Sequence, residues 1–383
     1  MDLTSLARGL SAPAGFVEAS QVTPPPGTIR LLSGLPAPEA LPVAAIGRAS
    51  AALWQDPDAA VAALQYSSPH GFTALRDWIA EREGVDPHRI VITNGGMHGL
   101  TLAVLTVVER GATVAVDDPA FPGFPWALEV STSAVLPVPV AADGFDVDHL
   151  AGRIAAGARI AAAYTVPDFH NPAQATLSAP KRQALVELAE RHGFYVLADN
   201  PYRELRFAGQ DQGVAVLNAS DRVIHVNTFT KTLGPGLRVG WLVLPEHLVD
   251  PVIGLRNRLD VHTSSVTQAI VERVVTDDYD KMVGHAVALY RERAEVLVSA
   301  LHEHLPGRFE IQAPEGGLFL WPRLTDDGID PAALFQRAVA AGVIYQPGEY
   351  FGPSWARHLR FAYGDRTVQE LTEAVRRLAV AFA

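Results

Sequence analysis

The residues best suited to chemistry lie between Val223 and Trp241, where an apolar run changes into a loop rich in hydroxyl groups and glycine. Lys231 stands in this loop just before a Gly-Pro-Gly break. Desolvation at the end of a buried strand lowers the pKa of a lysine, as an imine-forming amine requires. Thr228, Thr230 and Arg238 add groups that suit a phosphate. The alternative is that the two cations are loop charges facing water, as most are.

A carboxylate follows the apolar run that precedes this stretch. Asp199 comes directly after residues 194–198, and Tyr202 lies three residues further on. Parallel sheets bind ligands at the carboxyl ends of their strands. The thirty-two residues from Asp199 to Lys231 hold one βα excursion, so both side chains can reach the same sheet edge. Asp-Asn-Pro is also a common turn, which stays open as the alternative.

Three other segments carry polar groups at turns or in strands. Gly95, Gly96 and Met97 lie between a β-branched run and a helical pattern, so their amides at the helix start can hold an anion. Asn171 belongs to a Pro-x-x-x-Asn-Pro segment, and Asn-Pro alone is usually a turn. Arg360 alternates with apolar neighbours in a strand, so it either faces solvent or is buried against a carboxylate.

Together these segments resemble the fold-type I pyridoxal-phosphate enzymes, in the class I/II aminotransferases and their α-aminoadipate/kynurenine aminotransferase branch. The family pattern has a hydroxyl residue, an aromatic residue, a hydroxyl residue and Lys, with Arg seven residues later. Thr228, Phe229, Thr230, Lys231 and Arg238 fill that pattern. The resemblance covers nearly the whole chain. It implies that Lys231 holds pyridoxal 5'-phosphate as an imine and acts as general base at the substrate Cα.

The resemblance also implies the roles of residues around the cofactor ring. Asp199 keeps the ring nitrogen protonated and Tyr202 donates to the phenolic oxygen, so these two are catalytic together with Lys231. Asn171 binds the phenolic oxygen and the substrate carboxylate. Phe121 stacks on the ring, with a core phenylalanine as the alternative.

Further implied contacts concern the phosphate, the partner subunit and the substrate. The phosphate ligands are Gly95, Gly96, Met97, Thr228, Thr230 and Arg238. Tyr66 reaches the phosphate of the neighbouring subunit, which implies a homodimer with shared active sites. Arg360 and Gly34 contact the substrate. The family usually has Thr-Gly after its Asn-Pro, whereas this chain has Ala173-Gln174, and the sequence does not tell what that change does.

Hydrophobic periodicity predicts the elements that position these residues. Up to Leu244, apolar runs alternate with helical patterns, which predicts an α/β fold with a mainly parallel sheet flanked by helices. Beyond it, long helical patterns at 266–276 and 279–305 precede a strand-rich stretch, which predicts a smaller α+β domain. The predicted strands are 89–93, 113–116, 134–138, 160–165, 194–198, 223–226, 239–244, 309–312, 318–324, 343–345 and 359–362. The other predicted helical segments are 41–65, 72–82, 97–108, 122–129, 147–156, 178–192, 331–341 and 367–381.

The change of pattern divides the chain into three parts. Residues 46–281 are predicted to form the large cofactor-binding domain, and residues 282–383 the small C-terminal domain. Residues 1–45, rich in Pro and Gly, are expected to join the small domain.

Composition narrows the classes of partner. Lys and Arg number 31 against 42 Asp and Glu, and the net charge of -11 argues against binding nucleic acid or an anionic membrane. The chain has no cysteine, which excludes disulfides and thiolate metal sites, and no metal is expected. Residues 1–8 carry no targeting pattern, and no apolar run is long enough to span a membrane, which predicts a soluble cytoplasmic protein.

The predicted function is an aminotransferase that moves an amino group from an α-amino acid to a 2-oxo acid. The same kind of site can also run decarboxylation, elimination, cyclisation or oxidation of an amino acid. A pyridoxal-phosphate-binding regulatory sensor is a further alternative, disfavoured because no basic helical unit precedes the core. The sequence does not name the amino acid, the acceptor or the pathway.

Overall fold

The computed structural model describes residues 22–131 and 133–382, together with Ala7 and Leu10. Expectations for the other residues near the amino terminus lie outside this part of the chain. An eight-stranded sheet has the order β2-β9-β8-β7-β6-β3-β4-β5. Its strands are β2 (Ile90–Thr93), β3 (Thr113–Asp118), β4 (Ala134–Ala141), β5 (Gly144–Phe145), β6 (Ala162–Thr165), β7 (Tyr195–Asp199), β8 (Val223–Thr228) and β9 (Gly240–Val243).

The eight-stranded sheet is mainly parallel, as the alternation of strands and helices predicts. Strands β8, β7, β6, β3 and β4 pair in parallel, whereas β9 is antiparallel to both β8 and β2. Successive residues of β3 belong to different core clusters, since Val114 and Val116 pack on one face and Ala115 on the other. Both faces are therefore buried, which explains why the strand sequences are continuously apolar.

Helices connect and cover these strands. They are α1 (Val43–Gln55), α2 (Pro57–Leu64), α3 (Thr73–Glu83), α4 (Gly96–Val107), α5 (Gly123–Glu129), α6 (Val147–Ala155), α7 (Ala179–His192), α8 (Ala215–Ala219), α9 (Glu246–Leu259), α10 (Ser265–His304), α11 (Pro331–Ala340) and α12 (Val368–Ala381). None of the described helices is long and apolar enough to cross a membrane.

A second unit contains a four-stranded sheet of order β1-β13-β14-β11. Its strands are β1 (Ile29–Leu31), β11 (Phe319–Leu320), β13 (Val343–Pro347) and β14 (Leu359–Ala362), with a separate pair of β10 (Phe309–Glu310) and β12 (Arg323–Leu324). The early strand β1 runs parallel to β13. The fold is thus an α/β unit with a mainly parallel sheet and a smaller α+β unit.

Helix α10 links the two units, because it packs on α1 and also on α12. Asp278 interrupts it with non-helical angles (φ -144°, ψ 31°). This kink falls in the gap predicted between residues 276 and 279.

Some elements of the structure differ from those predicted from the periodicity. Helix α9 was not predicted, and its sequence carries Pro251 inside the helix together with polar residues that obscure an apolar face. The run 318–324, predicted as one strand, divides at Trp321-Pro322 into β11, which pairs with β14, and β12, which pairs with β10. Proline has no N–H for a strand ladder, so a division here is physically expected. The short elements β5 and α8 were also not predicted.

Candidate active site

A cavity of about 320 Å³ lies at the carboxyl ends of β6, β7 and β8, beside the start of α4. This is the edge at which parallel sheets bind ligands. Most residues singled out from the sequence line it: Gly34, Gly96, Met97, Phe121, Asn171, Asp199, Tyr202, Thr228, Thr230, Lys231 and Arg238.

Three of the singled-out residues do not line the cavity. Gly95 is the N-cap of α4, next to the lining residue Gly96. Arg360 is fully buried and touches the lining residue Asn171. Tyr66 is 87% exposed, and its ring lies edge-on to that of His262 with centroids 6.0 Å apart. Within one chain, Tyr66 is therefore not part of the cavity.

Lys231 reaches the cavity from the turn after β8. Its Nζ donates a hydrogen bond to the carbonyl of Gly34 at 2.7 Å and lies 5.7 Å from the centre of the Tyr202 ring. The pKa of Lys231 is lowered to about 8, mainly by burial and also by the positive charge of Arg360, while the charge of Asp199 opposes both effects. A side chain at Gly34 would come within 2.4 Å of the Phe319 ring, so glycine is needed for the close packing of residue 34 against that ring.

Asp199 ends strand β7 and is 6% exposed. Burial raises its pKa to about 7, although a hydrogen bond from Tyr164 and the charge of Lys231 both favour the carboxylate. The Tyr164 hydroxyl donates to Oδ2 at 2.9 Å, and its ring stacks on Phe124 with centroids 3.6 Å apart. The sequence analysis missed Tyr164. The available signal was a single phenol within the apolar strand β6.

A polar cradle lies where α4 begins. Gly95 has φ 84°, and a Cβ there would stand 2.7 Å from Nη2 of Arg238. That same nitrogen donates to the carbonyl of Asn94 at 2.9 Å. The hydroxyls of Thr228 and Thr230 are 2.8 Å apart, and Thr228 also donates to the carbonyl of Val239 at 3.0 Å. Since a hydroxyl has one proton, Thr230 is the donor within the threonine pair, and its hydroxyl can donate to an anion only by giving up that hydrogen bond.

Arg360 is buried, which decides against the solvent-facing alternative. Its Nη1 donates to Oδ1 of Asn171 at 2.9 Å, and its Nη2 donates to the carbonyl of Leu32 at 2.5 Å. The guanidinium lies over the rings of Phe319 and Phe351, 4.3 and 5.1 Å from their centres. Burial lowers its pKa to about 10, so it is still charged at neutral pH.

Known proteins are similar to this chain in sequence and in fold. The family model "Aminotransferase class I and II" matches residues 43–378. The chain is 32% identical to aromatic-amino-acid aminotransferase 1 of Thermococcus litoralis, over 95% of this chain and 88% of that protein. It is 29% identical to 2-aminoadipate transaminase of Thermus thermophilus, over 95% of this chain and 94% of the relative. The chain belongs to the class I and II aminotransferases.

A solved aminotransferase structure is also similar to this pyridoxal-phosphate-dependent aminotransferase over nearly its whole length. The α-aminoadipate aminotransferase LysN of Thermus thermophilus, complexed with N-(5'-phosphopyridoxyl)-L-leucine, superposes with a TM-score of 0.89 at 28% identity. The alignment covers 99% of this chain and 96% of that one. The enzyme therefore transfers an amino group from an α-amino acid to a 2-oxo acid with pyridoxal phosphate as its cofactor.

The residues of the cavity fit that cofactor. A lysine with a lowered pKa, a buried carboxylate and a glycine cradle closed by an arginine stand at one sheet edge. In pyridoxal phosphate, the lysine would bind the aldehyde, the carboxylate would face the ring nitrogen, and the cradle would hold the phosphate. Among the described residues, no cluster of three or more His, Asp or Glu is arranged to hold a metal ion.

Proposed function

We propose that this aminotransferase acts on α-amino acids with an apolar side chain and that Lys231 both holds the cofactor and transfers the substrate proton. The proposal on Lys231 rests on its position at the carboxyl end of β8 and on its lowered pKa. Bound pyridoxal phosphate supplies an electron-accepting ring that stabilises the charge left on Cα. At neutral to mildly alkaline pH, an amine with a pKa of about 8 can lose and regain a proton readily, as a general base at Cα must.

The other cofactor contacts divide by part of the molecule. Asp199 is proposed to pair with the ring nitrogen, Tyr202 and Asn171 with the phenolic oxygen, and Phe121 with the ring face. The Gly95, Gly96 and Met97 amides, Thr228, Thr230 and Arg238 are proposed to hold the phosphate. Support comes from their shared cavity, with Gly95 adjoining it at the N-terminus of α4. Backbone amides at a helix start favour an anion.

Arg360 and Asn171 are proposed to bind the substrate carboxylate, close to Gly34. The guanidinium is already desolvated and lies against two aromatic rings, where a pairing with an anion is stronger than in water. Asn171 lines the cavity and touches Arg360, so a carboxylate at Asn171 is also within reach of the guanidinium.

One observation carries the proposed side-chain preference. Among the described residues, the cations that line the cavity are Lys231 and Arg238, and both are assigned to the cofactor. Leu35 and Phe319 line the part beside Gly34 instead. A second carboxylate of an acidic substrate therefore has no further cation to pair with among the described lining residues. The names of the relatives point both ways, since one is an aromatic-amino-acid aminotransferase, whereas others are 2-aminoadipate aminotransferases, one of them solved with a leucine adduct.

Assembly, domain division and location are proposals of the same kind. A homodimer that shares its sites through Tyr66 is supported by the high exposure of that tyrosine. The proposed division has a large domain of residues 46–281 and a small domain of residues 282–383, with residues 1–45 belonging to the small domain. The pairing of β1 with β13 supports this placement of the N-terminal segment. The cytoplasm is proposed from the ordinary globular composition, with 48% hydrophobic residues.

A half-reaction screen tests the substrate class. The holoenzyme is mixed with one amino acid at a time, without acceptor, and conversion of the imine absorbance to that of the amine form of the cofactor is recorded. Leucine and phenylalanine should convert it at lower concentration than aspartate, glutamate and 2-aminoadipate. A preference for the acidic amino acids would refute the proposed class.

Replacing Arg360 tests the carboxylate contact separately. Arg360→Lys keeps the charge but loses the planar fork, so binding of an amino acid should weaken by about 1.5–3 kcal/mol. The corresponding amine without a carboxylate should be affected much less. An equal loss for both ligands would contradict the assignment.

A further inference from the structure

The turn that carries Asn171 ends in an unusual backbone conformation. Gln174 has φ 63°, a left-handed value that glycine adopts freely and that residues with a Cβ disfavour. The family pattern that the sequence resembles has glycine at this position. A glutamine at this position needs a compensating contact, because the backbone alone favours the smaller residue.

The side chain of Gln174 makes such contacts with the smaller unit of the fold. It is 8% exposed, and its Nε2 donates to the carbonyl of Gln312 at 3.3 Å. The backbone N–H of Trp321 donates to its Oε1. One amide group therefore uses its donor and its acceptor on the two ends of the segment 312–321, which contains Phe319.

These contacts connect the two sides of the proposed carboxylate site. The Gln174 N–H donates to the carbonyl of His170 at 2.7 Å and closes the turn around Asn171. Asn171 accepts from Arg360, whose guanidinium lies 4.3 Å from the Phe319 ring centre. Gln174 thus ties the turn that carries Asn171 to the strand that packs on Arg360.

We propose that Gln174 is a positioning residue that holds β11 against the Asn171 turn and thereby sets the Asn171–Arg360 pair for the substrate carboxylate. The inference rests on the proposed role of Arg360. The side-chain amide of Gln174 replaces the backbone freedom of glycine with a specific bridge between the two units. Loss of that bridge leaves Arg360 charged and present but less well placed.

A second contact joins the same segments, and it defines the alternative. The Phe169 ring packs so closely on Gly316 that a Cβ there would stand 2.4 Å from it. If this packing alone fixes the two units, removing the Gln174 amide will change nothing at the site. The experiment must therefore detect a loss specific to carboxylates.

The test uses holoenzyme and two variants of Gln174. Gln174→Gly suits the observed φ and removes the amide, so it is expected to fold. Gln174→Asn keeps an amide and tolerates positive φ, but it is one methylene too short to span both partners. Gln183→Ala, at an exposed position of α7, is the surface control. Dissociation constants are measured by spectral titration for L-phenylalanine and for 2-phenylethylamine, which lacks the carboxylate.

Both Gln174 variants should bind L-phenylalanine roughly tenfold more weakly, as expected for one lost hydrogen-bonded contact, and 2-phenylethylamine within about twofold of wild type. Hydrogen exchange at the Trp321 amide should quicken in Gln174→Gly, because its acceptor is lost. Unchanged binding of L-phenylalanine, or an equal loss for the two ligands, would overturn the inference.

Arg360→Lys separates this failure from failure of the proposed function. If Arg360→Lys affects the two ligands equally, the carboxylate assignment itself is wrong. If Arg360→Lys weakens only L-phenylalanine while the Gln174 variants do not, the role of Gln174 alone is wrong.

Discussion

At the scale of single residues, the site depends on two groups whose pKa values are shifted toward each other. Burial raises the pKa of Asp199 to about 7 and lowers that of Lys231 to about 8, while each charge partly stabilises the other. Tyr164 adds a hydrogen bond that favours the ionised carboxylate. The strand ends therefore hold, in one buried space, a carboxyl group and an amine that both titrate near neutral pH, and a protonated ring nitrogen of bound cofactor would favour the ionised carboxylate further.

Removing the anion tests its electronic role. Asp199→Ala removes the negative charge proposed to keep the ring nitrogen protonated, so the electron-accepting ring is weakened. The variant should still bind cofactor, yet exchange of the substrate Cα proton in deuterated water, followed by NMR, should slow by at least about 100-fold. Asp143→Ala, which removes an exposed carboxylate, serves as the control. Near-normal exchange in Asp199→Ala would count against the assignment.

The lowered pKa of Lys231 makes the stability of the cofactor-free protein depend on pH. Its folded pKa of about 8 lies below the ordinary 10.5, so the unfolded chain binds more protons between these values. Stability from this group therefore rises with pH across that window, by up to about 1.4 kcal/mol per pH unit, and is lost as pH falls toward 8. Urea unfolding of wild type and Lys231→Met is measured at pH 9 and 10.5. The free energy of unfolding of wild type, relative to that of Lys231→Met, should be higher at pH 10.5 than at pH 9. A constant difference would mean that the lysine is not desolvated.

At the scale of elements, the start of α4 and the turn after β8 bring two distant segments together at the proposed phosphate site. Gly95 provides the left-handed residue that begins the helix, and Arg238 occupies the space where a side chain at Gly95 would stand. Arg238 itself has φ 52°, so both segments adopt conformations that few residue types favour. The cradle depends on close approach of two backbones rather than on one motif.

A pair of glycines separates the collision with Arg238 from simple backbone strain. Gly95→Ala and Gly111→Ala both place a Cβ at positive φ, 84° and 78°, but only the former meets another atom within 4 Å. Both should lose about 1–2 kcal/mol of stability from the backbone. Only Gly95→Ala should also weaken cofactor affinity, measured by fluorescence titration of the cofactor-free protein. Equal cofactor affinity in the two variants would show that Gly95 and Arg238 are not part of the phosphate site.

At the scale of the whole molecule, Tyr66 raises the question of assembly. It is 87% exposed in the single chain and lies outside the cavity, although the resemblance to the family implies that this tyrosine contacts a cofactor phosphate. Both facts are reconciled if a second copy of the chain brings its Tyr66 to this cavity. The two-fold symmetry of a homodimer would then complete both sites in the same way.

Mixed dimers test that arrangement. A Tyr66→Phe chain and a Lys231→Ala chain form hybrids in which one of the two sites keeps both Lys231 and Tyr66. With random exchange, half of the dimers are hybrids, so activity should recover to about a quarter of wild type. The Lys231→Ala dimer alone should be inactive, lack the imine absorbance and yield no borohydride-trapped adduct. No recovery after verified subunit exchange, with Tyr66→Phe itself impaired, would disprove the shared site.

The sequence by itself determined the alternation of strands and helices, the fold class and the candidates Lys231, Asp199 and Arg238. These signals are local, since a buried strand is apolar along its length and ends in polar or glycine-rich turns. Even the kink of α10 at Asp278 was visible as a gap between two helical patterns.

Only the tertiary structure decided which distant side chains meet. Asn171 and Arg360 are 189 residues apart, and their contact depends on how the two units pack. Tyr164 reaches Asp199 because β6 and β7 are neighbours in a specific register. In the sequence Gln174 is only a departure from a turn pattern, whereas in the fold its amide bridges Gln312 and Trp321. Such pairings leave no periodic trace in the chain, because packing between elements, not the sequence around each residue, selects the partner.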